Sequence, residues 1–394
     1  MRHLKLVIVS AMLTGLLAIT QALGAKAANL ADSKFSEGNF DQAFPLYLGM
    51  HQRDPKDVRA LIRLGEIDVF ANRLDDATSF FQAALALDDS NKKARKGLLD
   101  IKERTGANGT FQMSRDVRAT TVPFVATDPL PVIKVRINSS RDAYFLVDTG
   151  APGVVLDPDT AKALHLSVAS AGQGVFAGGR QAAVMQSTID TIGLGGVEVK
   201  NVPVSVMSMA GAPAPSGIHL DGIVGTSLFH HFLTTLDYVH GRLILAPRSD
   251  SAQFERAAKE HGDSIVPLWY IPDHFLFAKA KVNGFEGLFN VDTGGDDVGV
   301  QVSKSMLGKS GIKLDVSHMS HMAGPGGDVE IVPFNATVTA GTTRVENVPG
   351  VYMPGGDQYG IFPFAVAGTI SHKFFRAQVV TFDFVAMQMV IAKQ

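Results

Sequence analysis

Two short stretches of this chain carry the same chemistry. FLVDTGAPGVVL (residues 145–156) and LFNVDTGGDDVGV (residues 288–300) each place an aspartate, Asp148 or Asp292, at the end of an apolar run and follow it with Thr and Gly. A carboxylate withdrawn from water without a partner is costly. Two carboxylates in contact have a use. Like charges a few ångströms apart cannot both ionise, so one proton is shared and the pKa values of the pair split. The ionised member then works as a general base and the protonated member as a general acid toward the same substrate. Gly150 and Gly294 let the backbone turn tightly, so that its N–H groups reach the carboxylates.

The surroundings of the two aspartates repeat as well. Asp148 and Asp292 lie 144 positions apart. The apolar-apolar-Gly triplets Ile223-Val224-Gly225 and Val366-Ala367-Gly368 end 143 positions apart, each with a threonine next. Leu236-Asp237-Tyr238 and Phe382-Asp383-Phe384 lie 146 apart, each ahead of a closing strand, RLILAP or QMVIAK. Short alternating runs such as VIKVRI, AYFLVD and LFAKAKV, punctuated by Gly and Pro, read as strands. A helix is expected soon after each motif: Asp157-Pro158 pairs an N-cap with proline at the first helical position, and Ser303 precedes KSMLGKSG. About thirty residues past each aspartate comes a glycine-rich stretch that reads as a flexible hairpin. The first holds Phe176, Gly178 and Gly179, and the second holds Gly324, Gly326 and Gly327. Phe176 has two readings, as a residue closing over substrate or as a core aromatic. Residues 118–394 are therefore read as two copies of one β unit, 118–250 and 251–394. Asp237 and Asp383 are read as turn or cap residues.

Ahead of the β units the chain changes character. Residues 29–105 are rich in Ala, Leu and charged residues at helical spacing, and they repeat with a period of 34: Ala43 matches Ala77, Tyr47 matches Phe81, and Pro55 falls opposite Asp89. A small residue on one helix facing an aromatic on the next is what stacked helix pairs need, and Gly65 holds a small-residue position in this register. The other reading is an ordinary helical bundle. Residues 106–117 read as a linker. Residues 1–28 read as a secretory leader, with Arg2, His3 and Lys5, an apolar run over 6–19, and small residues at Ala25 and Ala27. That run is short for a membrane span. The expected location is periplasmic or secreted. The 394 residues include no cysteine, which excludes disulfides and thiol chemistry, and the net charge of −2 gives no electrostatic case for nucleic acid. No cofactor or metal motif is found. HMSHM places His318 and His321 together without a supporting carboxylate. The whole reads as an α+β multidomain chain.

The duplicated motifs resemble the aspartic protease superfamily, and more closely its bacterial retropepsin-like members, over roughly the last 275 residues. The helical segment resembles tetratricopeptide repeats. The first resemblance implies a bilobal, mostly β catalytic domain with Asp148 and Asp292 as an intramolecular dyad hydrolysing polypeptides. It implies that Thr149 and Thr293 hydrogen-bond across the lobes, and that Gly225 and Gly368 admit a second backbone. A second arrangement pairs each copy with one from another chain. The chain departs from pepsin-like enzymes in having Ala151 and Gly295, with no hydroxyl after the motif glycine, which predicts an acidic limb shifted toward milder pH. Asp296 and Asp297 either point inward and raise the dyad's proton affinity or face solvent. Two functions follow as expectations: an endopeptidase, or a peptide- or partner-binding protein of the cell envelope that keeps the cleft without turnover. The helical segment is expected to dock a protein partner in either case, and no membrane span is expected after leader cleavage.

Overall fold

The computed structural model describes residues 28–113, 118–176, 179–212, 214–215, 217–272, 274–322, 327–356 and 358–393. The expected leader lies outside them except for Ala28, as do Gly178, Gly324 and Gly326. Among the described residues no helix is long and apolar enough to cross a membrane. Two compact units are present. One holds the described residues up to Val69, Arg73–Ile101 and Pro363–Ala365, and the other holds Phe70–Asn72, Lys102–Phe362 and the residues from Val366 on.

The first unit is built from helices α1 (residues 28–36), α2 (Phe40–Arg53), α3 (Val58–Phe70), α4 (Leu74–Leu87) and α5 (Lys92–Arg104). The period of 34 has a physical basis here. Ala43, Tyr47, Ala77 and Phe81 are all buried. The Phe81 ring fills the space left by two missing side chains, because a Cβ on Gly65 or on Gly97 would collide with it. Phe364 closes the unit, with its ring edge-on to Phe40 at 5.0 Å between centroids.

The second unit holds two copies of one β design. The first contains β1 (Gln112–Met113), β2 (Thr120–Ala126), β3 (Val132–Ile137), β4 (Arg141–Val147), β5 (Val154–Leu156), α6 (Pro158–Ala163), β6 (Ala169–Val175), β7 (Gln181–Leu194), β8 (Val197–Val206), β9 (Gly222–Val224), α7 (Thr226–Phe229), β10 (Leu233–Asp237) and β11 (Arg242–Ala246). After α8 (Ser251–His261) the second contains β12 (Ser264–Ile271), β13 (Phe275–Val282), β14 (Phe285–Val291), β15 (Val300–Val302), α9 (Lys304–Ser310), β16 (Ser320–Met322), β17 (Val329–Ala340), β18 (Thr343–Tyr352), β19 (Gly368–Ile370), α10 (His372–Phe375), β20 (Val379–Asp383) and β21 (Gln388–Ile391). Both helix starts expected from sequence are present: Asp157 accepts from the Asp159 N–H and Ser303 from the Met306 N–H. Part of the stretch read as linker is strand, since β1 pairs with β8 at Gln112↔Lys200. Two residues of weak pattern are enough when a long edge strand offers them partners.

The copies share one pairing scheme. The strand entering each motif runs parallel to a short strand, β4 with β9 and β14 with β19. The strand leaving each motif pairs antiparallel with that same short strand, β5 with β9 and β15 with β19. A six-stranded antiparallel sheet, in the order β2-β11-β10-β20-β21-β12, joins the copies. At its centre Thr235 faces Thr381, their hydroxyls 2.8 Å apart. These two are equivalent in the repeat of 146, so the pseudo-twofold axis passes between them. Asp383 is fully buried and holds the turn after β20: it accepts from the Val385 and Ala386 N–H groups and from the Ser251 hydroxyl. Asp237 does the same after β10 with the N–H of His240 and with Arg242.

Asp383→Ala leaves two backbone donors and a buried hydroxyl without an acceptor. We expect a loss of about 2–3 kcal/mol, read as a lower urea midpoint by fluorescence of Trp269, the sole tryptophan, on neighbouring β12.

Candidate active site

The site begins where β4 and β14 end. Each strand is buried along its last residues and delivers its aspartate into a tight turn. The Asp148 N–H donates to the Val224 carbonyl and the Asp292 N–H to the Ile370 carbonyl, both at 3.0 Å. Each carboxylate then accepts from the glycine of its own motif, Gly150 to Asp148 at 2.7 Å and Gly294 to Asp292 at 2.9 Å. The glycines are required by crowding. A Cβ on Gly150 would collide with the Asp292 carboxyl, and one on Gly294 with the Asp148 carboxyl. The two aspartates thus meet across the pseudo-twofold axis, carboxyl to carboxyl in hydrogen-bond contact.

The threonines fix that contact. The Thr149 N–H donates to the Thr293 hydroxyl at 3.0 Å, and the Thr293 N–H donates to the Thr149 hydroxyl at 3.1 Å. The Thr149 hydroxyl donates in turn to the Val291 carbonyl. Both side chains are buried, so these bonds have no competition from water.

Proton affinity follows from the packing. Each aspartate keeps some surface open to solvent, yet protein surrounds it closely. Burial, followed by the charge of Asp292, holds the Asp148 carboxyl well above the usual range. Burial also raises Asp292, while the Gly294 N–H and the Asp148 carboxyl partly offset it. The pair therefore retains a proton at pH values where isolated carboxylates have lost theirs.

The second apolar loop corrects the sequence register. Gly222 and Gly368 hold the same place: each starts the short strand, and a Cβ on either would strike the facing backbone at Val155 or Gln301. The counterpart of Ile223-Val224-Gly225 is therefore Thr369-Ile370-Ser371, and Val366-Ala367 lie before the strand. Matching on the letter glycine chose the wrong one of two. Ser371 could not be found by that match, and its role is distinct: its hydroxyl donates to the Asp292 carbonyl at 2.6 Å and accepts from the Gly295 N–H at 3.0 Å. In the first copy Gly225 packs on Ala151, and the neighbouring Thr226 hydroxyl donates to the Thr149 carbonyl at 2.6 Å. Sequence reasoning also passed over two buried residues packed together, Tyr238 and His372, with ring centroids 5.4 Å apart. Burial pushes the His372 imidazole down to about 4.

The remaining expected residues are placed as follows. Phe176 is half-buried and folds back over Gly174 of its own hairpin. Gly179 and Gly327 both have positive φ at the hairpin ends. The two hairpins meet there, Arg180 donating to the Asp328 carbonyl at 2.7 Å. Asp297 is exposed and paired with Lys373 at 2.7 Å, whereas Asp296 is half-buried. His318 pairs with Asp315 at 2.9 Å, and among the described residues no three His, Asp or Glu side chains are grouped to hold a metal.

Residues 133–228 match the family model for aspartyl proteases, and residues 34–106 match that for tetratricopeptide repeats. The chain resembles aspartic proteases in its β unit and tetratricopeptide proteins in its helices. Two solved structures are similar at low scores. One is basic 7S globulin from soybean, with 12% identity, TM-score 0.40, and coverage of 70% of this chain and 95% of that one. The other is a retropepsin-like aspartic protease from Rickettsia conorii, with 20% identity, TM-score 0.24, and coverage of 34% of this chain and 94% of that one. No curated protein matches the chain.

Two outcomes follow from this geometry. Thr149→Val removes the acceptor of the Thr293 N–H and the donor to Val291, and costs about 2–3 kcal/mol in denaturant, while Thr149→Ser retains most of the stability. The raised carboxyls favour the folded state below the ordinary carboxylate pKa, and this contribution is lost as pH rises through the raised value. Asp148→Asn therefore raises Tm relative to wild type at neutral pH, and the gain shrinks toward pH 4.

Proposed function

We propose that the chain is an aspartic endopeptidase acting through Asp148 and Asp292. The observation that carries this reading is the pair itself: two carboxyls meeting within one chain, both raised in proton affinity by burial, with their loops tied together by reciprocal threonine bonds. A water between them would give a proton to the ionised carboxylate as its oxygen attacks the scissile carbonyl carbon. The protonated carboxyl would give its proton to the carbonyl oxygen. Protonation of the amide nitrogen by the first carboxyl, as one hydroxyl of the tetrahedral diol returns its proton to the second carboxylate, would then break the C–N bond, release acid and amine and leave the pair with its single proton. Thr149, Gly150, Thr293 and Gly294 hold the pair, Ile223-Val224-Gly225 and Thr369-Ile370-Ser371 support its loops, and in this reading the two glycine-rich hairpins would close over a bound peptide.

The unit needs no second chain in this reading, because both aspartates come from one. The helical unit would dock a protein partner or substrate. The leader over 1–28 would route the chain to the periplasm or outside the cell, with domain limits at 29–105, 118–250 and 251–394. A protein that binds peptides without cutting them is the second reading. It draws on the absence of a hydroxyl at Ala151 and Gly295, which leaves the ionised pair with one hydrogen bond fewer to help it.

The test is cleavage of a mixed peptide library by the mature chain between about pH 3 and 7, beside Asp148→Asn and Asp292→Asn. We expect turnover with a bell-shaped pH dependence. Activity falls at high pH as the shared proton leaves the raised pair, and at low pH as the second carboxyl protonates. Either substitution lowers kcat by at least about a thousandfold. Peptide binding with no cleavage at any pH would favour the second reading.

A further inference from the structure

Two cavities of the β unit occupy equivalent places in the two copies. One, of about 870 Å³, is walled by Pro152, Gly153 and the stretch Pro203–Ser205. The other, of about 670 Å³, is walled by Asp296, Asp297 and the stretch Pro349–Val351. Strand register establishes the equivalence. Pro203 faces Thr188 as Pro349 faces Asn335, and Val154 lies beside Val204 as Val300 lies beside Gly350. Each cavity starts two residues past its motif glycine, on the segment that leaves the carboxyl pair.

Their chemistry differs because one connecting segment is longer. Between the motif glycine and the next strand the first copy has the three residues 151–153, and the second has the five residues 295–299. The longer segment carries Asp296 and Asp297. Asp297 is neutralised by Lys373. Asp296 is offset only in part, by the charge of Lys373 and by the Asp297 N–H, and its Oδ1 is buried with no hydrogen-bond partner among the described residues. Burial first, and the charge of Asp297 second, hold this carboxyl above its ordinary range. A buried carboxylate oxygen without a donor is unfavourable, and an incoming cation or N–H donor relieves it. His318 at the rim is engaged with Asp315. Met322, Ile331 and Phe334 give the same cavity an apolar wall, which suits the methylene stem of a long basic side chain. The cavity of the first copy has Pro152 and Gly153 near its motif and Ser187, Thr188 and Ser205 on its walls, and its acid, Glu103, is exposed.

We propose that the cavity of the second copy is a subsite for a lysine or arginine side chain of a bound peptide, selected by Asp296 and seated against Met322, Ile331 and Phe334. The cavity of the first copy takes an uncharged residue, so a peptide lies in one direction across the two copies. This assignment rests on the reading of the cleft as peptide-binding, and it does not require that the peptide be cut.

The full chain carrying Asp148→Asn is titrated near neutral pH with paired decapeptide pools. The pools are random except at one scanned position, held as lysine in one and norleucine in the other. At one position the lysine pool binds about tenfold more tightly, the scale of one charge-assisted hydrogen bond. Adding Asp296→Asn abolishes that preference and leaves norleucine binding unchanged, whereas Asp297→Asn keeps most of it. The contrast between the two pools in the parent protein does not depend on how well any further variant folds. Equal binding of the pools at every position, binding of neither pool, or equal loss from both on Asp296→Asn would overturn the assignment. Lysine-selective binding by a chain that cuts no peptide would leave the subsite standing and count against the peptidase reading alone.

Discussion

The β unit is organised around a single constraint: two carboxyl groups must touch where burial makes charge costly. One buried aspartate would shed its charge or find a cation. Two in contact hold a proton in common, and each then serves as partner to the other. That contact tolerates little error in position, so the backbone on either side is fixed. Gly150 and Gly294 vacate the space that the opposite carboxyl occupies. Thr149 and Thr293 exchange hydrogen bonds in both directions, which sets the separation and the relative height of the two turns. Farther out, Thr235 and Thr381 pair on the same pseudo-axis in the six-stranded sheet. The symmetry of the centre is thus enforced at two levels, in the loops and in the sheet that carries them.

Much of this was legible in the sequence because the repeat preserved spacing where geometry is tight. The motifs, the capped helices at Asp157 and Ser303, the hairpin aspartates Asp237 and Asp383, and the period of 34 in the helices are local signals whose physical cause sits within a few residues. Three things were not legible in that way. The register depends on which first-copy glycine, Gly222 or Gly225, matches Gly368; Gly222 meets the Val155 backbone as Gly368 meets that of Gln301, contacts 67 positions apart (155 and 222, 301 and 368) that no local pattern records. The strand at Gln112–Met113 exists because β8 has an open edge, not because its own residues demand it. Tyr238 and His372 come together only when the two copies pair, since each is an unremarked residue beside a better signal.

Fusion of two copies in one chain changes what each may become. In an assembly of identical chains any substitution appears on both sides of the axis. Here the copies answer to the shared centre but not to each other at the periphery. The centre is symmetric: Thr faces Thr, each Gly faces the opposite carboxyl, and Asp meets Asp. One step out the symmetry is already broken, with Gly225 packing on Ala151 while its counterpart Ser371 bridges Asp292 and Gly295 by two hydrogen bonds. Two steps out, the segment after the motif is two residues longer in one copy, and it carries a carboxylate whose Oδ1 is buried and unmatched among the described residues.

This gradient has an energetic logic. Substitutions at the axis disturb a buried contact on which both halves depend. Substitutions in the connecting segments disturb one cavity wall and leave the pair alone. Asp296 illustrates the difference. A buried, unsatisfied carboxylate oxygen weakens the folded chain, and the proton affinity of the pair follows from burial, the glycine N–H groups and the contact of the two carboxyls. Lys373 and the Asp297 N–H compensate Asp296 only in part, and a donor from outside the chain would complete it. That is why the lopsided cavity, rather than the symmetric centre, is where this protein's selectivity is to be sought.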